Sequence, residues 1–227
     1  MIERISLVVS NKLMDEARNS LPNIDFKLSL NQPTGDFFYD PWEIKDEFKN
    51  TVWEEIIDSL PSDRGEARII KLDIKTCYAM HSDIDDRWHL ALQKGESYLV
   101  DLDKKDMHQT LPGIWYIMDA GRLHSAVNFG DASRYQLVVR KLLNKNTLTA
   151  PVGVNLSINN PPENYRYVVD QFISPKLNYW NKNNKLSNFK QNNDKSISFM
   201  LEKDSISELE KAVDKLNLDT RVIYDSI

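Results

Sequence analysis

The residues best suited to chemistry are histidines and acids, and the chain has only four histidines: His81, His89, His108 and His124. His81 and Asp83 are two positions apart, so in an extended segment their side chains point to the same face. An imidazole and a carboxylate in this arrangement could bind one metal ion. His124 lies on another predicted strand, and an antiparallel sheet could bring it beside the first pair. Two histidines and one carboxylate on one face of an octahedral metal leave three positions open for other ligands.

A facial set of this kind is typical of iron(II) oxygenases. Ten residues after His124 comes Arg134, at the start of a predicted strand. Its planar guanidinium can bind a carboxylate through two parallel hydrogen bonds. One strand away from the metal, it could anchor the distal carboxylate of a keto acid whose other end chelates iron. Arg140 has the same strand parity and is a rival, but it lies near the far end of the strand, so we favour Arg134.

Each of these residues also has an ordinary structural interpretation. A lone histidine is more often a core or surface residue than a ligand, and it is the combination that favours a metal site. His108 lies in a polar turn, where we expect a surface side chain. Arg122 could bind a substrate carboxylate or face solvent, and both readings stay open. We expect the pair Asp85 and Asp86 to lie in a solvated loop.

The segments 81–92 and 117–137 resemble the 2-oxoglutarate/iron(II) oxygenases, and within them the aspartyl/asparaginyl β-hydroxylase-like and free-proline hydroxylase branch. The resemblance extends over residues 72–140. Four elements carry it, namely the His-x-Asp pair, an Arg-x-His followed by apolar residues (Arg87, His89, Leu90), a His-x-x-x-Asn step (His124, Asn128), and Arg134 after the distal histidine.

The resemblance implies a mainly β fold with flanking helices around a double-stranded β-helix (jelly-roll, cupin-like) core. It implies decarboxylation of 2-oxoglutarate to succinate, coupled to hydroxylation of an unactivated C–H bond. Iron(II), 2-oxoglutarate and O2 would be required, with ascorbate as a stimulant. The resemblance assigns iron binding to three side chains: His81, Asp83 and His124. It assigns the C5 carboxylate of 2-oxoglutarate to Arg134, and further contacts with this co-substrate to Arg87 and His89.

The substrate is less defined than the cofactors. Asp83 is present where animal aspartyl β-hydroxylases lack the carboxylate ligand, and Lys75-Thr-Cys-Tyr replaces the usual Pro-Gly before the His-x-Asp pair. The substrate could therefore be an amino acid, a small amino-acid derivative or a peptide side chain. The alternative is a cupin-type metal-binding protein, or a metal-dependent enzyme that does not use 2-oxoglutarate. Arg134 separates the two, because a bare metal cupin does not need it.

The secondary structure predicted to position these residues changes along the chain, from helices to short strands. Apolar spacing predicts a helix from about Asn11 to Leu21 and another from Asp40-Pro41 to Leu60. Six short β-rich runs separated by turn residues follow: Ala67–Ile74, Trp88–Leu92, Ser97–Asp101, Gly113–Met118, Ala126–Phe129 and Tyr135–Leu142. Closely spaced strands of this kind predict an antiparallel sandwich or barrel.

The composition shifts after this β-rich part. We therefore predict a jelly-roll oxygenase core with N-terminal helices over residues 1–145, and a C-terminal extension over residues 146–227. The segment Tyr179–Lys195 is rich in Asn and Lys and is expected to be exposed and mobile. A strand at Ser196–Leu201, a helix at Ser205–Leu216 and a strand at Arg221–Tyr224 could then form a small β-α-β subdomain.

The bulk composition fits a globular enzyme. The chain has 227 residues, a formal charge of −5 and 41% hydrophobic residues. There is no basic run suited to nucleic acid, no signal peptide pattern and no apolar run long enough for a membrane. The only cysteine, Cys77, fits a reducing compartment. We expect a cytoplasmic protein that acts on a small molecule or peptide, without nucleic-acid or membrane partners, and the sequence does not indicate its oligomeric state.

Overall fold

The computed structural model describes residues 2–225, except for the side chain of Tyr167. The chain divides into two compact units. Residues 2–80 together with Asp85–Leu142 make up the first unit, and His81–Ile84 together with residues 143–225 make up the second. No helix within residues 2–225 has the length and apolar character needed to cross a bilayer.

The first unit consists mainly of antiparallel strands with two short helices. The helices are α1 (Asn11–Asn19) and α2 (Val52–Asp58). The strands, in chain order, are β1 (Ile2–Val8), β2 (Lys27–Ser29), β3 (Asn31–Pro33), β4 (Trp42–Ile44), β5 (Arg64–Leu72), β6 (Thr76–Cys77), β7 (Arg87–Ala91), β8 (Ser97–Asp101), β9 (Asp106–Gln109), β10 (Ile114–Met118), β11 (His124–Asn128) and β12 (Arg134–Lys141).

Two sheets of the first unit have the strand order of a jelly roll. The larger sheet runs β1-β10-β7-β12-β5-β2, and the smaller runs β6-β11-β8-β9. From β5 to β12 the chain alternates between the two sheets, except at the β8–β9 hairpin, where both strands belong to the smaller sheet. This is the connectivity of an eight-stranded jelly roll. The double-stranded β-helix core expected from the sequence is therefore confirmed.

The larger sheet buries different side chains on its two faces. Trp88 and Leu90 of β7 pack with α1 and α2 in one apolar cluster. On the other face, Tyr116 of β10 joins a cluster with Leu99 and Ala126 of the smaller sheet. Because successive side chains of a strand point to opposite faces, the larger sheet contributes side chains both to an outer layer with the helices and to an inner layer with the smaller sheet.

The helix predicted from Asp40 to Leu60 is wrong over its first half. Strand β4 and a 3₁₀ helix (Asp46–Phe48) occupy that stretch, and α2 begins only after Thr51. Asn50 has a φ of 57°, a left-handed conformation that interrupts a right-handed helix. The Thr51 hydroxyl then caps α2 by accepting a hydrogen bond from the N–H of Trp53 at 3.3 Å. The apolar side chains that suggested one long helix do pack on the core. They belong to three elements, however: β4, the 3₁₀ helix and α2.

The second unit is a four-stranded antiparallel sheet with helices in its connections. Its helices are α3 (Tyr165–Phe172), α4 (Ser174–Lys182) and α5 (Ile206–Asp214). Its strands are β13 (Pro151–Ile158), β14 (Leu186–Asn193), β15 (Ser196–Glu202) and β16 (Thr220–Asp225), in the spatial order β14-β15-β13-β16. Strands, helices and neighbours in this order form a ferredoxin-like, split βαβ arrangement.

The expectation of an exposed segment at Tyr179–Lys195 holds for most of its residues but not for all of them. This segment contains the end of α4 and the whole of β14. Trp180 and Leu186 are fully buried, and Phe189 is 4% exposed. A few apolar residues spaced among Asn and Lys are thus enough to anchor both elements. Strand β13, which the sequence analysis does not predict, pairs with both β15 and β16.

Asp85 is buried, contrary to the expectation of a solvated loop. It is 4% exposed and accepts hydrogen bonds from Nε and Nη2 of Arg87 at 3.1 and 3.0 Å. Nε of Arg140 donates to its other oxygen. The Arg140 guanidinium also lies over the rings of Phe37 and Phe38, 4.6 and 5.1 Å from their centroids. One buried carboxylate therefore pairs with two guanidinium groups of the larger sheet, and Glu66 lies 4.0 Å from that of Arg140.

Replacing Asp85 with alanine should strongly destabilise the protein. Removing one partner of a buried ion pair leaves uncompensated charge and costs about 3–5 kcal/mol. The free energy of unfolding measured in urea should fall by that amount in Asp85→Ala. The exposed control Asp25→Ala should stay within about 0.5 kcal/mol of the parent protein. Equal stabilities of the two variants would contradict the role given to this ion network.

Candidate metal centre

The structure brings the three sequence-predicted ligands together. His81 and Asp83 lie in the connection between β6 and β7, and His124 is the first residue of β11. One ligand atom from each lies within 4.8 Å of the other two. His81 Nε2 is 3.8 Å from the nearer oxygen of Asp83. Two imidazole nitrogens and a carboxylate oxygen form a donor set that fits iron(II).

The backbone determines which ring nitrogen of His124 faces a metal. The pairing of β11 with β8 places His124 opposite Asp101, and the His124 side chain is 5% exposed. Its Nδ1 lies 2.8 Å from the carbonyl oxygen of Arg122. Because a carbonyl can only accept, Nδ1 carries the proton in this contact. A neutral ring with this tautomer presents the lone pair of Nε2, which is the form that binds a metal.

The other two ligands stand in irregular backbone. We expected His81 and Asp83 on a strand, but His81 makes only an isolated bridge, and residues 82–86 lie outside the strands. A ladder of backbone hydrogen bonds therefore does not hold this pair. Its geometry must depend on other contacts.

Arg122 lies among acids. Its guanidinium nitrogens are 3.8 Å from Asp101, 3.9 Å from Asp103 and 3.9 Å from Asp119. Three carboxylates around one guanidinium weaken its attraction for a further anion. A role for Arg122 in binding a substrate carboxylate stays a prediction, while its backbone carbonyl has a defined contact with His124.

The inner face of the larger sheet carries a buried polar cluster. Arg134 and Gln136 of β12 are 6% and 4% exposed, and Arg134 donates to the Gln136 side chain. His89 of β7 is 6% exposed. Within residues 2–225, Nε of Arg134, both ring nitrogens of His89, Nε2 of Gln136 and the hydroxyl of Tyr78 are buried without a hydrogen-bond partner. Buried polar atoms are nearly always satisfied, so this cluster is suited to a polar ligand.

The charge of the cluster favours an anion. Burial lowers the pKa of Arg134 to about 10, which leaves the guanidinium charged at neutral pH. Burial, followed by the charges of Arg134, His124 and Arg87, lowers the pKa of His89 well below its ordinary value, so this ring is neutral. Burial raises the pKa of Tyr78, which keeps its hydroxyl protonated. One cation surrounded by neutral polar groups is an arrangement that suits a carboxylate.

The three arginines of the inner face differ in whether a carboxylate pairs with them. Arg87 and Arg140 both bind Asp85, so the rival Arg140 is already compensated. Among the described residues no carboxylate pairs with Arg134. A cavity of about 300 Å³ reaches Arg134 and is lined by the turns at 93–97 and 128–133. Contacts of Arg87 and His89 with a co-substrate stay predictions.

From the sequence, Tyr78 could line the pocket but is more readily taken as a core aromatic, and Gln136 is not singled out. Gln136 lies two positions after Arg134 on the same predicted strand, so its side chain points to the same face of the sheet. The sequence therefore does indicate that Gln136 lies near Arg134. Tyr78 stands just outside β6 and has no such signal. Asn128, which the resemblance includes, is 2% exposed and donates to the carbonyls of Asp73 and Ala132 at 3.0 and 2.9 Å. Its role here is to hold the turn that precedes Arg134.

Comparison with known proteins indicates only distant likeness. No protein-family model matches the sequence, and no curated protein sequence does. A cupin domain from Bordetella pertussis Tohama I has 15% identity and a TM-score of 0.32, covering 36% of this chain and 85% of its own. A viral collagen prolyl hydroxylase from Paramecium bursaria Chlorella virus-1, solved with 2-oxoglutarate, has 11% identity and a TM-score of 0.44, covering 63% and 96%. The polyketide cyclase RemF from Streptomyces resistomycificus has 15% identity and a TM-score of 0.33, covering 53% and 79%.

The geometry predicts one metal site that depends on the two histidines. Calorimetric titration with Mn(II) under anaerobic conditions should give one site per chain in the parent protein. His81→Ala and His124→Ala should each weaken binding by roughly a hundredfold or more, because three ligands become two. His108→Ala is the matched control, since His108 is half-buried on β9 and pairs with Asp106 at 3.0 Å. If all three variants bind manganese like the parent, the site is not where we place it.

Proposed function

We propose that the protein is an iron(II)- and 2-oxoglutarate-dependent dioxygenase that hydroxylates an unactivated C–H bond. The observation that carries the proposal is that the same chain offers a metal-binding group of side chains and a buried arginine without a carboxylate partner among the described residues. His81, Asp83 and His124 present a facial donor set. Arg134 is buried, has no carboxylate partner among the described residues, and lies near other buried polar groups without hydrogen-bond partners. A keto acid with a second carboxylate needs both.

The chain's own residues would bind the co-substrate as follows. Arg134 would bind the C5 carboxylate through its guanidinium, and the Tyr78 hydroxyl and the Gln136 amide could donate to the same group. His89 is close enough to Arg134 and His124 for both of their charges to lower its pKa. It therefore lies in the region that a 2-oxoglutarate molecule would span, with its keto-acid end directed toward the metal ligands.

Iron with bound 2-oxoglutarate and O2 supplies the oxidising chemistry, with succinate and carbon dioxide as co-products. The protein's contribution is to orient the reactants and exclude water. The apolar layer between the sheets, which includes Leu99, Met118 and Ala126, suits this purpose because a dry pocket limits side reactions.

The substrate proposed is an amino acid, a small amino-acid derivative or a peptide side chain. A cheap assay decides between this enzyme and a metal-binding cupin without a keto acid. Purified protein is incubated with iron(II), ascorbate and 2-oxoglutarate, and succinate is measured. Succinate that requires iron supports the proposal. Metal binding with no response to 2-oxoglutarate would favour the alternative. A screen for products heavier by one oxygen atom would then identify the substrate.

Arg134 should determine the affinity for 2-oxoglutarate. Truncating one partner of a buried, hydrogen-bonded charge pair costs about 2–5 kcal/mol. Arg134→Ala should therefore weaken 2-oxoglutarate binding to the manganese-loaded protein by roughly thirtyfold or more, while manganese binding stays intact. Arg134→Lys keeps the charge but loses the two parallel hydrogen bonds, and it should give an intermediate affinity. Arg64→Ala, at the start of β5, is the control. Unchanged 2-oxoglutarate affinity in Arg134→Ala would refute the anchor.

A further inference from the structure

We propose that Asn178 and Ser82 are positioning residues of the metal centre, which hold the segment His81–Ile84 in its metal-binding conformation. This inference rests on the metal site of the proposed function. It also gives a task to helices α3 and α4 of the second unit, for which the sequence suggests none. The contacts that carry it all lie within that unit, to which His81–Ile84 belongs.

The segment needs such support because strand pairing does not provide it. The backbone between β6 and β7 is irregular, apart from an isolated β-bridge at His81. Asp83 has no place in a ladder, yet it must present its carboxylate at a fixed position beside His81. In irregular backbone, side-chain hydrogen bonds to main-chain groups are the usual substitute for a ladder.

Asn178 supplies one such bond on the C-terminal side of Asp83. It lies on α4 and is 3% exposed. Its side-chain N–H group donates to the carbonyl oxygen of Ile84 at 3.0 Å. Ile84 is itself 8% exposed, so water has little access to this carbonyl. The bond therefore fixes the peptide unit between Ile84 and Asp85, one residue beyond the candidate ligand Asp83.

Ser82 supplies the second bond, between the two ligands. It is 2% exposed, and its hydroxyl donates to the backbone carbonyl of Asp170 on α3. Asp170 lies near enough to Asp83 and His81 for their charges to act on its carboxyl group. Asp83 is thus flanked on both sides by bonds to consecutive helices. Residues that orient ligands in this way typically change metal affinity 10–100-fold when they are mutated.

Helix α4 offers a matched control. Asn181 is one turn after Asn178, is of the same type and is 6% exposed. Its side-chain oxygen accepts a hydrogen bond from the N–H of Asn144 at 3.0 Å, far in sequence from the ligand segment. Asn178→Ala and Asn181→Ala each remove a buried amide from the same helix. A purely structural role predicts similar effects for both, whereas a positioning role predicts different ones.

The test is an anaerobic titration of the full-length protein with Co(II), whose visible absorption spectrum reports the ligand geometry. Asn178→Ala should raise the cobalt Kd about tenfold or more and alter the spectrum. Asn181→Ala should keep the Kd within about twofold of the parent and leave the spectrum unchanged, at a similar melting temperature. Should Asn178→Ala fail to fold, Ser82→Ala, which removes only a hydroxyl, should give the same rise in Kd.

Equal cobalt affinities and spectra in the parent, Asn181→Ala and the available positioning variant would overturn the proposal. So would a parent protein that binds no cobalt. The succinate assay is separate from this readout. A weakened cobalt site in Asn178→Ala would therefore support positioning even if 2-oxoglutarate is not consumed. Equal cobalt binding in the parent and in Asn178→Ala would refute the positioning role even if 2-oxoglutarate is consumed.

Discussion

The convergence of His124 with the pair His81 and Asp83 is the constraint on which the rest of this structure depends. His124 is held by the ladder between β11 and β8, and the carbonyl of Arg122 fixes its tautomer. The partner pair stands in irregular backbone, where small changes of main-chain angle would move both ligands. The jelly roll thus holds one candidate ligand, His124, in a fixed position. Side-chain hydrogen bonds must hold the other two, His81 and Asp83.

The main energetic cost of this arrangement is the burial of polar side chains on the inner face of the larger sheet. Burying Arg134, His89 and Gln136 without full hydrogen bonding is unfavourable, because each lost contact with water is not replaced. Nearby Arg87 and Arg140 avoid this cost through Asp85. Among the described residues, the contrast between paired and unpaired arginines on one face distinguishes an ion network around Asp85 from the candidate anion site at Arg134. Proteins tolerate such unsatisfied groups mainly where a ligand completes them.

Much of the first unit could be predicted from sequence because β-rich runs and turn residues alternate there. Ser97–Asp101 is a strand with the predicted bounds, and residue type and spacing single out three side chains that the structure places within 4.8 Å of one another. Long-range contacts escaped prediction. Nothing local indicates that Asp85 meets Arg140, or that Asn178 reaches Ile84, since both pairs form only in the folded chain. Asn50 shows a subtler limit, because a single left-handed residue overrides a helical apolar stripe.

The most direct test of the account is an anomalous difference map from crystals grown anaerobically with iron(II), with data collected at the iron absorption edge. One strong peak per chain is expected, in contact with an imidazole nitrogen of His81, Nε2 of His124 and a carboxylate oxygen of Asp83. A map without a peak at this position, or with iron bound only elsewhere on the chain, would contradict it.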